Sequence, residues 1–301
     1  QVRAMIAVSE VEDPSRFVVM ATRNGIVKKT RLDAFKNLRR KGIWAILLDE
    51  GDDLIEAVLT DGKQELLLSS EAGMACRFKE TDCRELGRMT RGVRGMELRN
   101  EQGELATRLV SMTVVNPEAE LLVVTAKGMG KRSRVGFGIA EKDAATGGGY
   151  RLTHRGGKGV ISIRLREGDR VVQAIQLERD EDLLLTSVKA QVVRISTQGI
   201  RTLGRNSIGV RVMRLREDDE ISVVTKVAHL EDEALDAGVV RDELPADDGA
   251  NVAEELAPDA EGADEVDDSL PPDDEDVPAE PPSDDTGADG SADEGESGQV
   301  P

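Results

Sequence analysis

The sequence predicts an all-β chain folded as a propeller of four-stranded blades, and three observations predict it. An apolar strand, a tight turn and a second strand occur together four times at near-regular intervals. Each copy is followed by a loop ending in glycine, a third strand, an acidic turn and a fourth strand. No segment of the body carries the 3.6-residue apolar period of a competing helix. Four antiparallel strands in a unit of ~50 residues, repeated, is the arrangement of propeller blades.

The first strands are Phe17–Thr22, Glu65–Ser70, Glu120–Thr125 and Asp182–Ser187, turning at Asn24-Gly25, Ala72-Gly73, Lys127-Gly128 and Lys189-Ala190. Asn24-Gly25 is the sharpest hairpin signal, because both central positions of a type I′ turn need positive φ. Third strands begin at Gly42, Gly92, Gly159 and Gly209, at intervals of 50, 67 and 50 residues; the long interval holds a Gly-rich insertion around 144–150. Ile161, Ile163 and Leu165 alternate with Ser162, Arg164 and Arg166, the period of a half-buried strand. Acidic turns (Glu50-Gly51-Asp52, Glu101–Glu104, Glu167-Gly168-Asp169, Glu217-Asp218-Asp219) lead to fourth strands at 54–59, 105–111, 171–177 and 221–227. Met5-Ile6-Ala7-Val8 reads as a lone fourth strand. The expectation is four complete repeats and this remnant, in a fragment of a longer cytoplasmic chain whose upstream blades close the ring and cover its open edges.

Charge divides the 301 residues in two. Residues 231–301 hold 27 Asp and Glu against one basic residue, Arg241, a net of −26; residues 1–230 hold 32 acidic and 39 basic residues, a net of +7. The domains expected are a β body over 1–230 and a disordered acidic tail over 231–301, too poor in apolar residues to fold. Asymmetry of this kind points to polyanion binding and its control. Apolar runs are far shorter than a membrane span. Two cysteines, Cys76 and Cys83, with no histidine near them, fit reduced thiols and not a zinc site. Aromatics are 2% of the chain, which argues against readers that stack single-stranded bases. Nucleic acid, if bound, is read through its phosphates.

The positive charge recurs in register. The loops Lys36–Gly42, Leu86–Gly92, Thr153–Gly159 and Leu203–Gly209 are basic and contain no acid. Were the strands to run up and down in order, these loops would leave one end of the blades and the acidic turns the other. Candidate phosphate contacts are Arg39, Arg40, Lys41 and Gly42, then Arg88, Arg91, Gly92 and Arg94. The third loop adds Arg155, Gly156, Gly157, Lys158 and Gly159, and the fourth adds Arg205 and Arg211. Glycine lets backbone N–H groups approach a phosphate, and Arg or Lys neutralises it. Second-strand cations, Lys28, Lys29, Arg77, Lys131, Arg132 and Arg194, would widen the track.

Thr153–Gly159 resembles the box motif of the DNA gyrase A C-terminal domain family, Gln-[Arg/Lys]-Arg-Gly-Gly-[Arg/Lys]-Gly. Arg155, Gly156, Gly157, Lys158 and Gly159 match it, while Thr153 and His154 depart. Ala21–Thr30, Thr90–Gly95, Lys158–Ile163 and Leu203–Asn206 are similar to the same family, so the resemblance covers essentially all of 1–230. It implies a six-bladed β-pinwheel that wraps duplex DNA around a basic rim and supports ATP-driven negative supercoiling. The strict box belongs to the family's first blade and is expected upstream. The resemblance also implies a heterotetramer of two A and two B subunits, joined through an N-terminal region that holds the nucleophilic tyrosine. ATP and Mg2+ would act in other parts of that enzyme, and this chain would carry no cofactor and no catalytic residue. Tyr150 has no activating neighbour, and Gly128–Ser133 lacks the first glycine and the final Ser/Thr of a phosphate loop. Two alternatives stand beside this reading. One is the C-terminal domain of the corresponding topoisomerase IV protein; the other is a protein-interaction propeller, whose Trp landmarks a chain with one tryptophan, Trp44, does not supply.

Overall fold

A computed structural model describes residues 3–227 except 9, 38, 137–148 and 179–180. The acidic tail and most of the Gly-rich insertion lie outside the described residues. Repeat one contributes β1 (Phe17–Thr22), β2 (Ile26–Arg31) and β3 (Leu54–Thr60); repeat two β4 (Glu65–Ser70), β5 (Met74–Lys79), β6 (Val93–Arg94) and β7 (Leu109–Val114). Repeat three holds β8 (Glu120–Thr125), β9 (Met129–Arg134), β10 (Leu152–Thr153), β11 (Val160–Ile161) and β12 (Val171–Leu177). Repeat four holds β13 (Asp182–Ser187), β14 (Val192–Ser196), β15 (Val210–Arg211) and β16 (Ile221–Val227). The first strands are near-continuous apolar runs because each is covered on both faces: Val19, Leu66, Leu67, Leu68, Leu121, Leu122 and Leu183 have no exposed surface. The fourth strands of successive repeats lie side by side, β3 against β7, β7 against β12 and β12 against β16.

The first and third blades are four-stranded, the second gains β10 as a fifth strand, and none is built from strands in chain order. The third strand of each repeat leaves its own repeat and completes the preceding blade. β6 pairs with β2 through Val93–Val27 and Arg94–Ile26. In the same way β11 pairs with β5 through Val160–Ala75, and β15 with β9 through Val210–Gly130. Two departures from expectation follow. Gly42–Ile46 is not a strand and pairs with none among the described residues. The last blade has three strands among the described residues, in the order β14-β13-β16.

Two other expectations are corrected. Met5–Val8 is not a strand; Ile6 and Val8 pack against the cluster of Val18, Met20, Leu32 and Ile46. The fourth strand of repeat two begins at Leu109 and not at residue 105, because Arg99 bridges Leu105 around an enlarged turn. The acidic turns serve the hairpins. Asp52 accepts a hydrogen bond from the Asn24 amide (2.9 Å), Asp169 from Lys127 (3.0 Å) and Asp219 from Lys189 (3.0 Å). In the enlarged turn Thr107 takes that place and accepts from Ala72 (3.1 Å).

Successive repeats are sewn by two further hydrogen-bond series. Leu109, Val171 and Ile221 donate their amides to the carbonyls of Arg23, Glu71 and Ala126 at 2.8, 2.9 and 2.8 Å. Five residues past each glycine, the amides of Leu47, Glu97 and Arg164 donate to the carbonyls of Thr90, Gly157 and Ser207, each at 3.0 Å.

Cations also sit inside the blades. Lys28 and Lys131, at equivalent places on β2 and β9, have no exposed surface. The Lys28 ammonium donates to the carbonyls of Ala45 (2.7 Å), Arg88 (2.5 Å) and Thr90 (3.1 Å). That of Lys131 donates to the carbonyls of Gly204 (2.6 Å) and Arg205 (2.5 Å) and to Ser207 Oγ (3.3 Å). One residue on, Arg77, Arg132 and Arg194 pair with the acid that opens the neighbouring strand, Glu65, Glu120 and Asp182. Lys29 pairs with Glu80 at 3.4 Å and lies over the Phe17 ring. Burial, reinforced by Arg205, lowers the Lys131 ammonium to about 7, and burial with Arg88 lowers Lys28 to about 8.

Both the glycine joints and the buried lysines can be tested. Gly42 and Gly159 have nearly the same φ, +77° and +80°, but a Cβ on Gly159 would lie 2.3 Å from the Ala75 carbonyl oxygen while one on Gly42 would meet nothing within 4 Å. Gly42→Ala is expected to cost about 1–2 kcal/mol for the left-handed backbone alone. Gly159→Ala should cost about 2–3 kcal/mol more through loss of the β11–β5 joint, read by urea denaturation. The second test concerns pH. The folded state releases the Lys131 proton from about pH 7, whereas the unfolded chain holds it to 10.5. The unfolded state therefore binds more protons between these values, and this site's contribution to stability rises with pH by up to about 1.4 kcal/mol per unit. The Tm of the natural chain relative to Lys131→Met should climb from pH 6.5 to 9; a constant gap would refute it.

Candidate nucleic-acid interface

The basic loops do not project from one end of the blades. Those of repeats two, three and four run along the outer edge of the preceding blade, first parallel to its second strand and then back as the exchanged strand. The parallel leg is seen where Glu85 bridges Lys29, where β10 pairs with β5 and where Thr202 bridges Arg132. Short 3-10 turns at Glu80–Asp82 and Thr197–Gly199 launch two of these crossings. Glycine then reverses the chain at positive φ: +123° at Gly92, +80° at Gly159 and +90° at Gly209. These glycines, read from sequence as room for a phosphate, instead let the loop press on the preceding blade. A Cβ on Gly209 would lie 2.5 Å from the Gly130 carbonyl oxygen, and one on Gly92 2.8 Å from that of Val27. Gly42 faces open space, Gly156 donates its amide to the Gly95 carbonyl (2.7 Å), and Gly157 receives that of Glu97.

The cations named from sequence divide into three groups. Arg39, Arg40, Lys41, Arg91, Arg94, Lys158 and Arg211 are exposed. Arg91 is held by Asp49 (2.5 Å) and Arg94 by Glu97 (2.5 Å), both near the surface, where such pairs contribute little and open readily. Arg88, Arg155 and Arg205 are half-buried and donate to backbone carbonyls. Lys28, Lys29, Lys131 and Arg132 lie in the blades, as do Arg77 and Arg194. Lys28 and Lys131 hold the basic loops from beneath and do not widen the surface track, because their ammonium groups spend their protons on loop carbonyls. Arg39, Arg40 and Lys41 line a cleft with Trp44, Arg88 and Met89, and Trp44 is 69% exposed there.

Sequence reasoning missed Arg164, Arg166, Arg214 and Arg216, all exposed and just past the exchanged strands. Their signal was present: each alternates with a core residue, Ile163, Leu165, Met213 or Leu215, which places the arginines on the solvent face. Lys158, Arg166, Arg211, Arg214 and Arg216 carry no ion pair among the described residues, so their charge is free to meet an anion.

Tyr150 is buried with its hydroxyl 2.7 Å from Ser162 Oγ, and burial raises it to about 12. His154 is exposed beside Asp82 at 3.2 Å. Both cysteines are free and buried, and burial pushes the Cys83 thiol to about 11. Among the described residues no three His, Cys, Asp or Glu converge as a metal site, and no helix is long and apolar enough to cross a membrane. What the geometry offers is a strip of exposed cations, renewed at each repeat and seated on a rigid edge.

Comparison with known proteins places this strip in a family. The profile of the "DNA gyrase C-terminal domain, beta-propeller" matches residues 16–61, 64–107, 119–136, 147–178 and 181–227. The chain is 38% identical over 223 residues to the DNA gyrase A protein of Chlamydia pneumoniae, covering 73% of this chain and 25% of that protein. It is 36% identical over 240 residues to that of Mycolicibacterium smegmatis (79% and 26%) and 36% identical over 266 residues to that of Klebsiella oxytoca (87% and 27%). It thus spans about a quarter of the length of these relatives. Among solved structures, the C-terminal domain of DNA topoisomerase IV superposes with a TM-score of 0.64 at 25% identity, covering 74% of this chain and 65% of that one. The DNA gyrase A C-terminal domain gives 0.60 at 23% identity, over 74% and 69%, and supports the fold. With the profile matched across all four repeats, the chain belongs to the DNA gyrase C-terminal domain, β-propeller family.

Proposed function

We propose that this chain binds duplex DNA without sequence preference and bends it along the basic rim, supporting negative supercoiling by a gyrase. The observation that carries this reading is the recurrence of exposed cations on the outer edge of successive blades, with Lys158 and Arg211 free of ion pairs among the described residues. Each phosphate neutralised releases counterions, which gives affinity without base readout. Bending 20–30 bp by 40–90° costs roughly 1–6 kcal/mol, so several sites must act together. A strip renewed at each repeat supplies them on one curved path.

In this reading the chemistry lies elsewhere. DNA cleavage, ATP and Mg2+ belong to other parts of a cytoplasmic assembly of two A and two B subunits. The partners are DNA here and the other subunits through the remainder of the gyrase A protein. Topoisomerase IV is the second reading, favoured by the 0.64 superposition, while the relatives above are gyrase A proteins at higher identity. The −26 tail, tethered to the +7 body, is proposed to compete with DNA for the rim through its high local concentration.

Two measurements test the reading. Lys158→Gln with Arg211→Gln should lower the slope of log affinity against log salt by ~2, since each lost contact removes about 0.9. The loss should be equal on unrelated DNA sequences, and an unchanged slope would sink the assignment. Ending the chain at residue 230 should tighten binding at low salt and make little difference at high salt, where the tail is screened; equal low-salt affinity would exclude competition by the tail.

A further inference from the structure

Arg88, Arg155 and Arg205 hold one place in three successive basic loops, four residues before the closing glycine. We propose that they are positioning residues and not DNA contacts: each ties its loop to the loop of the preceding repeat and so fixes the spacing of neighbouring cation sites. The consequence for DNA rests on the function proposed above; the tie itself does not.

The same bond is made three times. Arg88 Nη1 donates to the carbonyl of Trp44 at 3.3 Å, Arg155 Nη1 to that of Arg94 at 3.0 Å, and Arg205 Nη1 to that of Ile161 at 3.1 Å. The acceptors are equivalent as well. Trp44, Arg94 and Ile161 each stand two residues past the glycine of the preceding repeat, and each exposes its own side chain. The bonds join residues 44, 61 and 44 apart in sequence, so local chain geometry does not produce the coincidence. It is a property of the junction.

Each clamp is also anchored at its base. Lys28 grips the carbonyl of Arg88, and Lys131 grips those of Gly204 and Arg205. At the middle junction, where Cys76 stands in place of that lysine, Arg155 Nε makes a second bond, to the Asp82 carbonyl at 2.8 Å. The guanidinium suits this role. It is a planar fork that donates in fixed directions, which the single ammonium of lysine cannot reproduce. Lys158, three residues beyond Arg155, and Arg211, six beyond Arg205, have no such engagement among the described residues.

Amide hydrogen exchange of the full chain without DNA tests the tie. Both Arg155→Gln and Arg155→Lys should speed exchange in residues 94–97 of the neighbouring loop about tenfold, the effect of losing one hydrogen bond, and Lys158→Gln should not. Arg205→Lys should act likewise on residues 161–164, which guards against a folding defect special to one site. DNA affinity should fall together in Arg155→Lys and Arg155→Gln, because retaining the charge does not restore the fork. Unchanged exchange in Arg155→Gln would overturn the proposal. So would natural affinity in Arg155→Lys combined with a salt slope reduced by ~0.9 in Arg155→Gln, the mark of a direct phosphate contact. If the natural chain itself fails to bind DNA, the proposed function falls, while the exchange data still decide the tie.

Discussion

The exchanged third strand is the joint on which the rest of this molecule depends. Each is only two residues long, yet it completes a blade that its own repeat does not contain. A strand of that length has little stability by itself. It is held by what surrounds it: a glycine that permits contact with the preceding backbone, a further hydrogen bond five residues on, and an amide bridge where the fourth strands begin. No repeat is therefore a complete unit, and its stability is a nearest-neighbour quantity, as in other repeat proteins.

That joint also settles where charge goes. The second strand is the outer strand of its own repeat, and the incoming loop covers it, so its cations become interior. Lys28 and Lys131 then satisfy loop carbonyls that would otherwise be buried without a donor. Arg77, Arg132 and Arg194 meet an acid across the hairpin. Cations at the end of a second strand, such as Lys79 and Arg134, still reach solvent, as do those borne by the loop itself or by the segment just past the exchanged strand. The rim is basic because the interior positions are neutralised and the loop positions are not.

Much of this was legible in the sequence, and the failures share one cause. First strands and hairpins were readable because apolar runs and turn residues act locally. The split between a +7 body and a −26 tail was readable by counting. The exchange was not, since a β-strand carries the same pattern whether it pairs within its repeat or with the next. Gly42 and Gly159 look alike on paper and differ only in what lies against them. The lysines at 28 and 36 are likewise indistinguishable by type, although one is buried and the other exposed. One interior feature could have been found: Glu65 and Arg77, Glu120 and Arg132, and Asp182 and Arg194 are each 12 residues apart, a spacing that places them diagonally across a hairpin with a three-residue turn.

A basic site here is made by a junction and not by a repeat. The loop supplies the cation, the preceding blade supplies the edge on which the loop rests, and the carbonyls exchanged between them set the distance to the next site. Among the described residues four loops are basic, but three are seated; the Arg39–Lys41 loop ends at a glycine with nothing against it and at an exposed Trp44. Charge content alone would rank that loop with the others, or above them. An extended polyanion, however, gains from cations held at fixed intervals, because loops left free must be ordered before they contribute. In the function proposed above, the effective track is therefore counted in joints between blades.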